Sequence, residues 1–220
     1  MSLLQAWIDN PKDTAAISFL ISKGMAITKS RAEADFAFFL GGGDVMPLLY
    51  GERLIEGTSV DMERDRFCID AYRIFTKLKT PMIGLGRGAQ FINVMQGGDL
   101  WQHVDGHSSG SHEVKVEGEK NLYPVMTCHR QMMHPSSKGL VLAYAETSTK
   151  RGCDGYLETN EDFGGQKHRD PEIIYYVDPD SLCVQFRPEL SPLNHPSRTL
   201  FWSMFEELIL PTVSKKKKGK

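Results

Sequence analysis

Two short apolar runs each break directly into a glycine-rich loop, and this constrains the fold more than any other feature of the chain. Phe36 to Leu40 (FAFFL) contains no polar residue and runs into Gly41-Gly42-Gly43-Asp44. Pro81 to Leu85 (PMIGL) runs into GRGAQ (Gly86 to Gln90), and the helical stretch Gln90 to Gln96 follows until Gly97-Gly98 stops it. A run that is apolar at every position suits a strand covered on both faces, as in a parallel sheet. Helical periodicity appears between such runs. Thr14 to Lys23 places Ile17, Leu20 and Ile21 on one face, and Asp65 to Lys79 places Phe67, Ala71, Ile74, Phe75 and Leu78 on one. Together with a strand at Leu3 to Ile8, this alternation predicts an α/β fold of three layers, with a mostly parallel central sheet flanked by helices. Ligands in such sheets bind beyond the carboxyl ends of the strands. The two glycine loops are therefore where chemistry is expected.

The second half reads differently. His112 to Glu117 alternates apolar and charged residues like a half-exposed strand, and Leu140 to Glu146, Ile173 to Val177 and Leu182 to Phe186 read as further strands. Glu158 to Pro171 is polar and glycine-rich, a surface loop. Ser197 to Leu210 reads as a closing amphipathic helix. The expected organisation is one domain over residues 1–211, with a basic, disordered tail at 212–220. Charge supports that division. The chain has 220 residues, with 26 Lys and Arg against 28 Asp and Glu. Five of the basic residues are Lys215, Lys216, Lys217, Lys218 and Lys220, which leaves residues 1–214 with 21 positive and 28 negative charges, a net of −7. An acidic body is a poor nucleic-acid surface. The tail reads first as a solvated extension and second as a tether to RNA, DNA or an acidic partner. No apolar run approaches a membrane span, and no signal peptide is read at the N-terminus. Cys68, Cys128, Cys153 and Cys183 are scattered, without a C-x-x-C pair, which suits free thiols in a reducing compartment and a cytoplasmic location.

At the two loops the sequence resembles a known family. ADFAFFLGGGDVMPLLYGE (Ala34 to Glu52) is similar to the stretch preceding the active site of gamma-glutamyl hydrolases in the class I glutamine amidotransferase superfamily, with Met46 where those enzymes often carry a second acidic residue. Arg64 to Gln102 resembles their next block, P-h-h-G-I-C-R-G-x-Q-x-h-N-V-x-x-G-G-x-L-x-Q, where h is apolar. SHEVKV (Ser111 to Val116), the His129-x-Gln131 pair and LCVQFRPEL (Leu182 to Leu190) follow in the family's order. The nearest branch resembles hydrolases of the gamma-glutamyl-gamma-aminobutyrate type, and the resemblance implies a flavodoxin-like, class I glutamine amidotransferase-like fold. It also implies a cysteine nucleophile at a strand-to-helix elbow, a histidine base and a glutamate that orients the base. Carried over by position, the nucleophile is Gly86, the base is Arg187 and the orienting acid is Glu189. Glycine has no side chain to attack with, and arginine cannot accept a proton at neutral pH. The oxyanion donors implied are the backbone N–H of Arg87 and one from the Gly41–Gly43 loop, by resemblance Gly42. Gly43, Gln90 and His129 complete the ligand-binding set. Gly86 also suits an elbow with φ > 0, and Gly88 suits close packing of helix on strand.

Several residues could replace the lost groups. Cys128-His129 could form a relocated dyad, but neighbours on a strand face opposite ways, and cysteine is among the most buried residue types, so a core cysteine is expected at both Cys128 and Cys183. His103, His107 and His112 sit in a Gly/Ser-rich stretch whose spacing does not suggest a metal site. They read as solvated loop histidines, and His134, His168 and His195 read as surface. No metal and no cofactor is expected. GLGRGA (Gly84 to Ala89) satisfies a dinucleotide-binding pattern, yet it lies outside the first βα unit and lacks the acidic residue that a ribose would need. Arg187 either offers charge to a carboxylate or gamma-glutamyl ligand, or pairs with Glu189 or another acid and plugs the pocket. Three functions remain open from sequence: a pseudoenzyme that binds an anionic ligand or a protein partner, an active hydrolase or amidotransferase with a displaced nucleophile, and a structural protein that forms an oligomer.

Overall fold

A computed structural model describes residues 3–104, 107, 110–146 and 170–218. Cys153, His168 and the expected loop from Glu158 as far as Arg169 lie outside the described residues. The first half contains β1 (Leu4–Ile8), α1 (Thr14–Ile21), β2 (Met25–Thr28), β3 (Phe36–Phe39), α2 (Met62–Leu78), β4 (Met82–Leu85) and α3 (Arg87–Met95). There follow β5 (Asp99–Trp101), β6 (Ser111–Val116), β7 (Leu122–Met126), β8 (Met132–His134), β9 (Gly139–Ala145), β10 (Asp170–Tyr176) and β11 (Ser181–Val184). The chain closes with α4 (Pro196–Met204), a π-helical turn (Phe205–Ile209) and α5 (Leu210–Lys218).

Nine strands form one sheet in the order β2-β1-β3-β4-β11-β10-β9-β6-β7, and β5 pairs with β8 in a small second sheet. The five strands from β2 to β11 run parallel to one another. From β10 outward each strand pairs antiparallel to its neighbour. The alternating half-exposed pattern expected of His112 to Glu117 belongs to this antiparallel half. β2, β5, β7 and β8, which the periodicity does not announce, are short or lie at sheet edges.

The fully apolar runs are explained by burial on both faces. Successive strand residues face opposite sides. Phe36 and Phe38 enter a core with Phe19, Phe201 and Phe205, while Ala37 and Phe39 enter the opposite core with Trp7, Phe75 and Phe91. β11 divides likewise, with Leu182 and Val184 on the first side and Cys183 on the second. Helix starts follow their caps. The Asp13 carboxylate accepts from Ala16 N at 3.0 Å. Asp61 accepts from Arg64 N at 3.0 Å and starts α2 three residues before its apolar face declares it.

The end of the domain differs from expectation. The closing helix continues to Lys218, past the boundary expected at 212. Phe201, Phe205, Ile209 and Val213 are all buried against the sheet, so part of the expected tail belongs to the packed domain. Among the described residues, no helix is long and apolar enough to cross a membrane.

Phe38 is fully buried with its ring 6.2 Å from that of Phe205 and 6.4 Å from that of Phe201. Phe38→Ala is expected to lower stability by about 3–5 kcal/mol in urea denaturation. Leu193→Ala, on an exposed side chain, should change it by less than about 0.5 kcal/mol.

Candidate functional site

The glycine loops meet at the carboxyl ends of β3 and β4. A cavity of about 290 Å³ opens there, with Gly42, Gly43, Gly86, Arg87, Gln90, Cys128, His129 and Arg187 in its lining. These comprise every ligand-binding residue expected from sequence, joined by Gly86 and Cys128.

The first loop is held from below. Asp9, at the end of β1, accepts Leu40 N with Oδ1 at 2.9 Å and pairs with Arg64 Nη2 through Oδ2 at 2.8 Å. The Arg64 guanidinium reaches on to the carbonyl oxygens of Gly41, at 2.9 Å, and Leu40, at 3.0 Å. A Cβ on Gly42 would stand 2.0 Å from Arg64 Nη1, so only glycine admits this approach. Asp44 N donates to Ser59 O at 2.7 Å, and Arg130 bonds the Asp44 carboxylate and the Gly57 carbonyl.

The second loop forms the expected elbow. Gly86 has φ +55° and ψ −117°, a left-handed conformation suited to glycine. A Cβ on Gly88 would lie 1.9 Å from Phe39 O, so the close packing of α3 on β3 is confirmed. The buried Arg87 guanidinium bonds Asp65 and lies 3.4 Å from Cys68 Sγ. Only the backbone of Arg87 is left for a ligand. Among the described residues, no hydrogen-bond acceptor is assigned to the backbone N–H groups of Gly42, Gly43 and Arg87. With the N-terminus of α3 they give one side of the cavity a positive potential.

Arg187 makes the internal pairing with Glu189 that the sequence left open. Its Nε bonds the Glu189 carboxylate, with Asp13 Oδ2 3.9 Å from Nη2. The side chain lies across both glycine loops. A Cβ on Gly41 would meet Arg187 Nη1 at 2.0 Å, and one on Gly86 would meet Arg187 Cδ at 2.7 Å. The internal ion pair is thus the observed arrangement, and the cavity stays open beside it. The Glu189 carboxyl sits above the usual carboxylate range because burial raises it, and Arg187 offsets only part of that.

The thiols and imidazoles depart further from expectation. Cys128 is exposed and lines the cavity, so it is not a core cysteine. Cys183 is one, and burial alone raises its thiol. Burial, with Asp9 alongside, pushes the Cys68 thiol up to about 11. His107 is buried and His112 largely so, which corrects their reading as solvated loop residues. Both surround Glu172 on β10 together with His129. Burial by itself would raise the Glu172 carboxyl, but the imidazoles packed against it, His112 foremost, hold it down at about 2. His103 is exposed, and His195 caps α4 by accepting from Ser197 N. Asp9, Arg64, Arg130 and Glu172 were not anticipated. Asp9 closes an apolar run as the glycine loops do, and Glu172 interrupts one (DPEIIYY), so each carried a signal.

The sequence profile of the Peptidase C26 family matches residues 10–150, a span that includes both glycine loops and His129. The chain belongs to that family. Similar to this Peptidase C26 member is the glutamine amidotransferase-like protein YvdE of Lactococcus lactis subsp. lactis (strain IL1403), 31% identical over 170 residues, which are 68% of this chain and 63% of that protein. A YvdE homologue from Lactococcus lactis subsp. cremoris is 32% identical over 120 residues, 46% of this chain and 64% of the homologue. The matches thus span somewhat less than two thirds of these curated relatives. Among solved structures, a GMP synthase component from Thermoplasma acidophilum aligns with a TM-score of 0.64 at 14% identity, over 99% of this chain and 98% of that one. A glutamine amidotransferase from Thermotoga maritima aligns with a TM-score of 0.59 at 12% identity, over 99% and 93%. At these identities the likeness is one of fold, and it places the chain with the class I glutamine amidotransferase-like, flavodoxin-type architecture.

The Glu189 shift has a definite sign. A carboxyl whose folded value is raised binds a proton on folding. Its contribution is complete below the unfolded value, about 4.3, and is lost as pH rises through the folded value. Arg187→Ala removes the opposing charge and moves the folded value further up. Urea denaturation at pH 4.5 and pH 7 should show a deficit relative to wild type that grows with pH, reaching about 3 kcal/mol at pH 7. An equal deficit at both pH values would contradict this role for Arg187.

Proposed function

We propose that this Peptidase C26 member is a pseudoenzyme: its cavity binds a gamma-glutamyl or other carboxylate ligand without cleaving it. The observation that carries the reading is the Arg187 side chain, which lies across Gly86 and pairs with Glu189. At the elbow where the family resemblance puts a thiol there is no side chain. At the position of its base there is a guanidinium already bonded to the orienting acid. An oxyanion hole alone supports only modest catalysis. The features that recognise an anion are retained: the backbone N–H groups of Gly42, Gly43 and Arg87, the α3 N-terminus, and Gln90, held by its bond to Gln131 O at 2.7 Å. His129 adds a ring beside them. Purified protein should bind glutamate or gamma-glutamyl-gamma-aminobutyrate in calorimetry and should not hydrolyse glutamine or gamma-glutamyl amides. Turnover of about 1 per second or faster would overturn the non-catalytic part, and absence of any heat of binding would overturn the ligand part.

A second reading is favoured by one observation. Cys128 is exposed in the same cavity and adjoins His129, so a displaced nucleophile is sterically available. If it acts, Cys128→Ser and thiol alkylation must each abolish turnover. The pseudoenzyme reading expects no turnover to abolish.

The packing of Arg187 also orders a restoration experiment. Cys at position 86 would collide with Arg187 Cδ, so Gly86→Cys alone should stay inactive and lose stability. The double variant Gly86→Cys with Arg187→His removes the collision and supplies a base beside Glu189. Gamma-glutamyl hydrolysis is expected in the double variant only, read as release of glutamate.

A further inference from the structure

His129 belongs to a second arrangement besides the cavity lining. Its Nδ1 lies 2.9 Å from the Gln131 carbonyl oxygen, and a ring nitrogen facing a carbonyl oxygen at this distance carries the proton. The Nε2 lone pair is thereby left facing Glu172 Oε1, 3.8 Å away. His107 is fixed in the same way. Its Nε2 lies 3.1 Å from Asp170 Oδ2, so this nitrogen carries the proton, and Nδ1 faces Glu172 Oε1 at 3.7 Å. The two rings stack with centroids 4.6 Å apart. His107 Nδ1, His129 Nε2 and both Glu172 oxygens are buried, and among the described residues the close polar neighbour of this set is His112 Nε2, 2.9 Å from Glu172 Oε1.

Two lone pairs converging on a buried carboxylate repel it and each other, and a cation placed between them relieves that repulsion. The spacing suits a metal ion. Tetrahedral zinc with bonds of about 2.0–2.1 Å holds its ligand atoms about 3.4 Å apart. The 3.7 and 3.8 Å separations come within a few tenths of an ångström of that, and the three donor atoms all lie within 4.8 Å of one another. Two imidazole nitrogens and one carboxylate oxygen are donors that zinc accepts. The Asp170–His107 contact is the carboxylate–histidine pairing that orients ligands at such centres. His112 Nε2, 2.9 Å from Glu172 Oε1, stands beside the three-atom set and steers the carboxylate.

We propose that His107 Nδ1, His129 Nε2 and the Glu172 carboxylate bind a divalent metal ion of the zinc type, with Asp170 as the positioning residue for His107. The ion joins three chain segments, the loop after β5, the turn between β7 and β8, and β10. It fixes the His129 side of the cavity, whether or not that cavity is catalytic.

The test uses the 220-residue chain after chelator treatment, titrated with Zn²⁺ against a chromophoric chelator and separately with Co²⁺. One Zn²⁺ per chain and the intense visible bands of tetrahedral Co²⁺ are expected. Glu172→Gln and His129→Gln should abolish both signals. Asp170→Asn should weaken Zn²⁺ binding about 10–100-fold, and His195→Asn, which keeps the helix cap, should bind like wild type. Circular dichroism checks folding, and if Glu172→Gln does not fold, Asp170→Asn and His129→Gln carry the comparison. A wild-type chain that takes up neither ion overturns the proposal, because the cation between the rings is then a proton. Uptake that is unchanged in both Asp170→Asn and His129→Gln overturns it as well.

Discussion

The Asp9–Arg64 pair is the constraint on which the candidate site rests. Asp9 ends β1, the neighbouring β3 opens into Gly41, and Arg64 reaches both from α2. The order β2-β1-β3-β4 reverses direction between β1 and β3, and such a switch point is where a parallel sheet opens a crevice. Left alone, the carbonyls at that opening would have no strand partners. The guanidinium satisfies two of them while its charge is balanced by a carboxylate with no exposure. Charge-assisted bonds of this kind are the stronger ones, and they hold the loop in the shape that turns its N–H groups towards the cavity. Below it, Asp65 links the Met46 backbone to Arg87 and so couples the first loop to the second.

On this frame, Arg187 acts through packing as much as through charge. Its side chain fills the space that Gly41 and Gly86 leave free. Glu189, fully buried, has a permanent cation as its partner. Buried pairs like this one resist loss of either member more than they add to stability together. Gly86 and Arg187 therefore support one another: the arginine fits because position 86 has no side chain, and the bare elbow leaves no hole because of the arginine.

What the sequence made legible was what depends on local pattern. FAFFL is apolar throughout because Phe36 and Phe38 face one core and Ala37 and Phe39 the other. The elbow at Gly86 and the close approach at Gly88 follow from where glycine is required. Partnership across the chain was not legible. His107 looked solvated because its neighbours in sequence are Gly, Ser and Asp, but its partner Asp170 lies 63 residues away on a strand of the antiparallel half. The His107 carbonyl also accepts from Thr127 Oγ1 and His129 N, so one loop residue organises the segment that carries Cys128 and His129. Cys128 looked like a core thiol through residue preference alone. Its segment lies between β7 and β8, outside either strand, where strand alternation does not decide which way a side chain faces.

The π-helical turn between α4 and α5 has a consequence for the chain's last turns. Phe201, Phe205, Ile209 and Val213 recur every four residues, and all are buried. An α-helix advances about 100° per residue, so a strict four-residue repeat drifts by about 40° at each step and would carry Val213 well round from Phe201. Five residues of wider winding at Phe205–Ile209 take up part of that drift and keep the row against the sheet beneath. The irregular turn thus acts as a phase corrector. It lets one helix remain seated for longer than α-helical geometry would allow, and it sets the rotational position from which the lysine-rich end departs.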